Sequence, residues 1–273
     1  MTIVSKRLPT FYLTHGGGPW PYMSGEARRA HGRLEESLRE LPRQLPAKPQ
    51  AILVVSGHWE EREFAVMGAA SPGMIYDFGG FPEELYRIRY SAPGSPRMAE
   101  RALSLIHEAK LPAHLDTERG FDHGTYSILA VCYPQADVPV FQVSLRADYD
   151  SQAHLQLGRA LAPLRDEGVL IIGSGSSYHN LRRFFERGGR REDAVQFDAW
   201  LRETLVDSTP ERRSKRLLEW ARAPAAREAH PREDHLMPLH VAVGAAEDEP
   251  GRMIFDQEDF LGTIALSSYR FGY

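Results

Sequence analysis

Histidines that follow predicted β-strands are the residues of this chain best suited to chemistry. The chain contains eleven histidines. His15 and His58 each follow an apolar run, and His179 comes a few residues after another. Because ligands of open α/β sheets bind outside the carboxyl ends of the strands, we expect these three side chains to share one site. A single buried histidine is more often a satisfied core group, so the prediction depends on all three together.

Two further histidine clusters are candidates for the same site. In the first, His123 stands between an aspartate and a glycine in a segment predicted to be a loop. In the second, His230, His235 and His240 follow one another at five-residue intervals. On a helix, that spacing would turn each side chain about 140° from the last. We therefore expect a loop that carries His230 or His235 inward, and then a helix near Pro238 in which His240 packs or faces solvent.

These histidines have the chemistry of metal ligands. Imidazole is the commonest protein ligand for metals, and it suits zinc, iron, copper and nickel. The spacing is too wide for a zinc finger, and the single cysteine, Cys132, excludes a thiolate cluster. The residues by themselves thus predict an open, mononuclear, histidine-rich metal site.

The segments that must position this site alternate between apolar runs and amphipathic stretches. Strands are predicted at residues 11–14, 51–56, 138–145 and 169–174, and helices at 95–109, 151–166, 193–206, 211–222 and 238–247. Runs that are nearly all apolar indicate strands covered on both faces. The alternation predicts an α/β fold: a single domain over residues 1–273, with a mostly parallel central sheet flanked by helices and the site at the carboxyl ends of the strands.

Composition and charge exclude several classes of protein. The formal net charge of −4, from 33 basic and 37 acidic residues, offers no field for nucleic acid. One cysteine cannot form an internal disulfide, which fits a reducing compartment. No apolar run has the length of a membrane span. We expect a cytoplasmic protein without membrane or nucleic-acid partners, and a homo-oligomer is left open. The arginine-rich stretch at 182–191 is interpreted as a solvated loop rather than an anion site.

Six short motifs resemble, in the same order, those of the LigB-type class III extradiol ring-cleavage dioxygenases, and most closely the DOPA-dioxygenase-like branch. They are Thr14–Pro19, Ser56–Trp59, Asp77–Pro82, Gly120–Gly124, Tyr178–Asn180 and Asp234–Leu239. The similarity runs from about residue 8 to the C-terminus. It implies an enzyme that uses a mononuclear non-haem metal to insert both atoms of O₂ into a catechol-type aromatic substrate, giving a muconic semialdehyde.

The resemblance also implies a set of metal ligands. His15, His58 and His235 match ligand positions of this branch, and His179 matches a position that serves as a fourth ligand or as a nearby acid/base. Non-haem oxygenases usually combine two histidines with one carboxylate. An all-histidine set carries less negative charge and holds zinc well. The resemblance implies Fe(II) as the working metal, and the all-histidine set leads us to expect Zn(II) as an occupant of the isolated protein.

The remaining roles implied by the resemblance concern the substrate. His123 matches a histidine of the substrate pocket, and we expect it to be the catalytic acid/base, with Asp122 as a candidate orienting partner. His230 and Tyr178 are expected to bind the substrate. An aromatic wall is expected from a subset of the rings near the motifs, namely Trp20, Trp59, Phe78, Phe81, Tyr126 and Tyr178.

Two alternatives to a dioxygenase stay open on the sequence alone. A histidine-ligated zinc ion lowers the pKa of bound water to about 7, which would suit a hydrolase. A non-catalytic metal-binding protein of the same fold would instead close all four ligand positions with protein groups. Dependence on O₂ and Fe(II) distinguishes the dioxygenase from both.

Overall fold

The central β-sheet of the chain has eight strands in the computed structural model, which describes residues 7–184 and 192–273. The strands are β1 (Thr10–Thr14), β2 (Ala51–Glu61), β3 (Phe64–Met67), β4 (Ala113–Asp116), β5 (Val140–Arg146), β6 (Val169–Gly175), β7 (Gly251–Phe260) and β8 (Ile264–Phe271). Their order across the sheet is β4-β3-β5-β2-β6-β1-β8-β7.

Parallel pairing dominates the middle of this sheet. β6 lies between β1 and β2 and runs parallel to both, and β2 is also parallel to β5. β3 and β4 form another parallel pair. Antiparallel pairing joins β3 to β5 and attaches the β7–β8 hairpin to β1. The predicted mostly parallel α/β sheet is confirmed, and the carboxyl ends of β1, β2 and β6 meet at one edge.

Helices flank the sheet. They are α1 (Gly25–Arg29), α2 (Gly32–Glu40), α3 (Pro96–Glu108), α4 (His123–Cys132), α5 (Ser151–Leu161), α6 (Leu181–Phe184), α7 (Glu192–Leu205), α8 (Pro210–Leu218), α9 (Ala226–Ala229) and α10 (Met237–Gly244). α10 packs on β6 and β1, and α4 packs on β2 and β6. β1 and β6 are buried along their whole length, as their continuous apolar runs predict.

Two predictions about local structure near the histidines were wrong. β2 does not end at residue 56: it continues to Glu61 along β5 after its pairing with β6 stops at Ser56, so His58 lies inside the strand. The segment around His123 is not a loop, because the Asp122 carboxylate accepts a hydrogen bond from the backbone N–H of Thr125 and starts α4 there.

Two further features bear on the expectations from sequence. Among the described residues, no helix combines the length and apolar character needed to cross a bilayer. Most of the arginine-rich stretch, residues 185–191, lies outside the described residues.

Candidate metal centre and active site

His15 is carried into the site by β1. Its backbone N–H donates to the carbonyl oxygen of Gly175 on β6 at 3.0 Å, so the chain stays paired for one residue beyond the strand. Gly16 then takes a positive φ of 77°, in a space closed by the Trp20 and His31 rings. Since a side chain would be strained at that φ and would collide with both rings, glycine is required for this turn. The Trp20 indole donates to the carbonyl oxygen of His15 at 2.7 Å.

His235 reaches the same edge from the segment between α9 and α10. Its carbonyl oxygen accepts hydrogen bonds from the Tyr12 hydroxyl at 2.8 Å and from the backbone N–H of Ser176 at 3.2 Å. α10 begins two residues later at Met237. The predicted arrangement, a loop that delivers a histidine and then a helix near Pro238, is confirmed by these elements.

The imidazoles of His15, His58 and His235 converge on one point. The Nε2 atom of His58 lies 3.3 Å from that of His15 and 3.1 Å from that of His235. The three rings line a cavity of about 560 Å³. Residues 15, 58 and 235 are far apart in sequence, and the shared edge of β1, β2 and β6 is what joins them.

All three imidazoles are held neutral. Burial lowers the pKa of His15, His58 and His235 well below the ordinary 6.5, and positive charge on neighbouring histidines would lower it further. A neutral imidazole keeps a lone pair on one ring nitrogen, which is the form that binds a metal ion. The three side chains are therefore in the protonation state of metal ligands.

Each ring also has an oxygen acceptor at its other nitrogen. The Nδ1 atom of His15 lies 2.8 Å from the carbonyl oxygen of Gly16, which can only accept a hydrogen bond. The Nδ1 atoms of His58 and His235 each lie 3.2 Å from a carboxylate oxygen, of Asp77 and Asp234 respectively. The contact of His15 is a hydrogen bond, whereas those of His58 and His235 are charge contacts not aligned as hydrogen bonds. All three oxygens favour a proton on Nδ1 and a lone pair on Nε2, as for histidines that ligate metals.

With that tautomer in all three rings, three Nε2 lone pairs meet at one point. Such an arrangement is repulsive unless a cation lies among the nitrogens, so the donor set fits a metal ion bound by the three Nε2 atoms. The same three residues form a group of potential ligand atoms within 4.8 Å of one another.

His179 lies beside this trio and is grouped differently. Its ring stacks on that of His235 with a centroid distance of 3.3 Å and an interplanar angle of 14°. Its Nδ1 atom lies 3.8 Å from an oxygen of Asp234, with which it forms a second group of potential ligands together with His235. Burial lowers the pKa of His179 to about 4, although the Asp234 carboxylate opposes that effect. A ligand role for His179 stays a prediction.

His123 lies at the first turn of α4 and faces the same cavity. Its ring centroid is 3.9 Å from that of His58 and 5.2 Å from that of His15. Its Nδ1 atom and its backbone N–H both approach one oxygen of Asp77, at 2.9 and 3.0 Å. This carboxylate was not singled out from the sequence as a functional residue, although it opens one of the six motifs.

Asp122 is not the orienting partner of His123. One of its oxygens accepts from the Ser56 hydroxyl at 2.7 Å and from the helix N-terminus, and the other accepts from Arg119 at 2.9 Å. Asp122 thus caps α4 and ties it to β2, which fixes where His123 starts. The contact with the ring itself comes from Asp77.

Three other predicted positions lie behind the cavity wall. The Tyr178 hydroxyl donates to Asp193 at 3.0 Å, and His230 Nε2 lies 3.1 Å from the carbonyl oxygen of Ser177. Neither residue is among the described residues that line the cavity. Direct substrate contact by Tyr178 and His230 stays a prediction. The expected packing role of His240 is confirmed, because both of its ring nitrogens face backbone carbonyl oxygens of the interior.

The walls of the cavity are largely aromatic and aliphatic. Of the rings proposed from sequence, Phe78 and Phe81 line it, and they pack edge to face at 5.3 Å. The β7–β8 hairpin, which was not predicted, adds Phe260, Leu261 and Leu266. The arrangement can hold a flat aromatic molecule against a metal ion with a histidine beside it.

Comparison with known proteins agrees with this geometry. The family model described as the catalytic LigB subunit of aromatic ring-opening dioxygenase matches residues 9–272. A Beta vulgaris protein named 4,5-DOPA dioxygenase extradiol is 40% identical over 265 residues, covering 96% of each chain. An Escherichia coli K12 protein of the same name is 34% identical over 271 residues, covering 98% of this chain and 96% of its own.

A solved structure shows the same fold. The crystal structure of an uncharacterized protein from Escherichia coli K12 superposes with a TM-score of 0.79 at 31% sequence identity, covering 97% of this chain and 100% of that chain. The chain belongs to the LigB family of aromatic ring-opening dioxygenases. It is an oxidoreductase of the metal-dependent extradiol class that incorporates O₂, and the hydrolase and the non-catalytic protein are not favoured.

Proposed function

We propose that this enzyme opens the ring of a catechol-type substrate next to its two hydroxyl groups and releases a muconic semialdehyde. The observation that carries the proposal is the convergence of the His15, His58 and His235 Nε2 atoms at 3.1–3.3 Å beside an aromatic-walled cavity. The names of the relatives make DOPA (3,4-dihydroxyphenylalanine) the first catechol to test.

The proposed metal ligands are these three histidines, with Fe(II) as the working ion. When bound by these imidazoles, ferrous iron would supply the redox chemistry that allows O₂ to react with the catechol. Zn(II) is proposed to bind the same imidazoles in the isolated protein without supporting ring opening. Because the ligand set contains no carboxylate, the carboxylates of Asp77 and Asp234, each 3.2 Å from an Nδ1 atom, would help to balance the charge of the ion.

His123 is proposed to move the proton. A catechol hydroxyl has to lose a proton before the ring opens, and the proton has to be returned afterwards, since the product keeps all the hydrogen atoms of the substrate. The ring of His123 lies against that of His58 and faces the cavity. A histidine can both accept and donate a proton near neutral pH. Phe78, whose ring centroid lies 6.2 Å from that of His123, supplies an apolar wall beside this histidine.

Oxygen uptake tests this proposal. The protein is loaded with Fe(II) without oxygen, mixed with DOPA or a 4-alkylcatechol, and exposed to O₂ while uptake and the yellow semialdehyde absorbance are followed. We expect one O₂ consumed per ring opened, with no turnover in His15→Ala or His58→Ala and unchanged turnover in His114→Ala, a half-exposed histidine of β4. Absence of uptake with every catechol, although the metal is bound, would reject the proposal.

A further inference from the structure

One carboxylate, that of Asp77, touches two histidines that the proposed reaction uses differently. Its Oδ2 atom lies 3.2 Å from Nδ1 of His58, and its Oδ1 atom lies 2.9 Å from Nδ1 of His123. The backbone N–H of His123 also donates to Oδ1 at 3.0 Å. The three residues form a group of their own, within 4.8 Å, next to the metal-binding trio.

The position of Asp77 is built into the fold. The chain from Gly73 to Asp77 runs beside the segment that precedes α4: the N–H of Phe121 donates to the carbonyl of Gly73, and the N–H of Ile75 donates to that of Phe121, both at 2.8 Å. Asp77 therefore arrives beside His123 through paired backbone, not through a free loop. Its side chain is 19% exposed, and it lines the cavity.

Charge decides which nitrogen of each ring carries the proton. A carboxylate offers only lone pairs, so a bare Nδ1 lone pair at 2.9–3.2 Å would be repelled, whereas an Nδ1–H would be attracted. The attraction is one of charge, because neither ring contact is aligned as a hydrogen bond. Both rings are therefore held with Nδ1–H toward Asp77 and with the Nε2 lone pair toward the cavity.

We propose that Asp77 is a positioning residue that fixes His58 and His123 in the same tautomer, so that one carboxylate aims a metal ligand and presents Nε2 of the acid/base histidine as a proton acceptor. The inference rests on the proposed function for the role of His123. The orientation that it assigns to the two rings holds independently of any substrate.

Substitution by asparagine separates this role from a packing role. The amide in Asp77→Asn keeps the shape of the side chain but has one acceptor and one donor, so only one ring can keep Nδ1–H toward it. Partners of metal-binding histidines typically contribute 10–100-fold to metal affinity or activity. We expect Asp77→Asn to retain the wild-type unfolding midpoint while losing about 10–100-fold in metal affinity or in single-turnover ring opening. Asp137→Asn, which alters an exposed aspartate paired with Lys48, is the matched control.

NMR can determine the tautomers of His58 and His123 without enzyme turnover. In zinc-loaded protein with ¹⁵N-labelled histidine, the ring-nitrogen shifts report which nitrogen carries the proton, and His123→Gln identifies the signal of His123. We expect Nδ1–H for His123 in the wild type and in Asp137→Asn, and a change of tautomer for His123 in Asp77→Asn, since zinc on Nε2 keeps the proton of His58 on Nδ1. An Nε2–H His123 in the wild type, or an Asp77→Asn variant with wild-type tautomers, metal affinity and turnover, would overturn the inference. If the wild type opens no catechol, the proposed function is rejected. The tautomer spectrum still tests the positioning role of Asp77 in that case.

Discussion

Buried neutral histidines are expected to make the stability of this protein depend on pH. His154 shows the effect outside the metal site. Its Nε2 atom accepts the backbone N–H of Arg146 at 3.2 Å, and its Nδ1 atom lies 2.8 Å from the carbonyl oxygen of Asp150. Burial lowers the pKa of His154 to about 4 from 6.5. Between these pH values the unfolded chain binds a proton that the folded chain does not, so stability falls as the pH falls through this window.

We expect this one residue to be visible in the pH dependence of unfolding. A single proton taken up on unfolding changes the free energy of unfolding by about 1.4 kcal/mol per pH unit. His154→Gln should therefore show a shallower loss of stability between pH 6 and pH 5, by about that amount, measured by urea unfolding at each pH. Gln152→Ala, at an exposed position of the same helix, removes no titratable group and should keep the wild-type slope. An unchanged slope in His154→Gln would contradict the assignment.

At the scale of elements, the packing of α5 against α10 sets where the His235 segment lies. A Cβ atom on Gly158 of α5 would overlap the carbonyl oxygen of Val241, and one on Gly244 of α10 would overlap that of Leu155. The two helices thus approach each other through a pair of glycines. Because α10 starts two residues after His235, any shift of this helix moves the metal-binding segment.

We expect Gly158→Ala to lower the free energy of unfolding by about 1–3 kcal/mol, the usual cost of overpacking. Urea unfolding measures it, and metal affinity should fall in parallel because α10 is displaced. Gly32→Ala is the matched control: Gly32 also lies in a helix but has no atom within 4 Å of its would-be Cβ, so the change should be neutral or stabilise by about 0.4–1 kcal/mol. Equal stability of the two variants would show that the α5–α10 contact is not tight.

The burial of each strand decided whether it could be predicted from the sequence. β1, β2, β5 and β6 were predicted because strands with helices on both sides must be apolar throughout. β7 was missed because it is an edge strand whose residues include Arg252, Asp256, Glu258 and Asp259, and charged residues conceal a strand pattern. β3 and β4 have only four residues each, too few to show a period.

The whole molecule explains why the histidines could be predicted and Asp77 could not. Parallel strands bring their carboxyl ends to one edge, so histidines next to β1, β2 and β6 had to be neighbours. Asp77 is brought to His123 by non-local pairing between two segments outside the main sheet, seen in the bridge of Met74 with Phe121. Residue types and spacing carry no signal for such a contact, and only the chain's complete path shows it.

The family match extends over residues 9–272 and therefore includes all three proposed metal ligands. The central claim is that His15, His58 and His235 together hold one metal ion. Anaerobic titration with Fe(II), with bound iron measured per chain, tests it most directly. We predict one ion per chain in the wild type and in His114→Ala, and an affinity at least about 100-fold weaker in His15→Ala, His58→Ala and His235→Ala, because each removes a ligand rather than its outer partner. Wild-type stoichiometry and affinity in any of those three variants would contradict the claim.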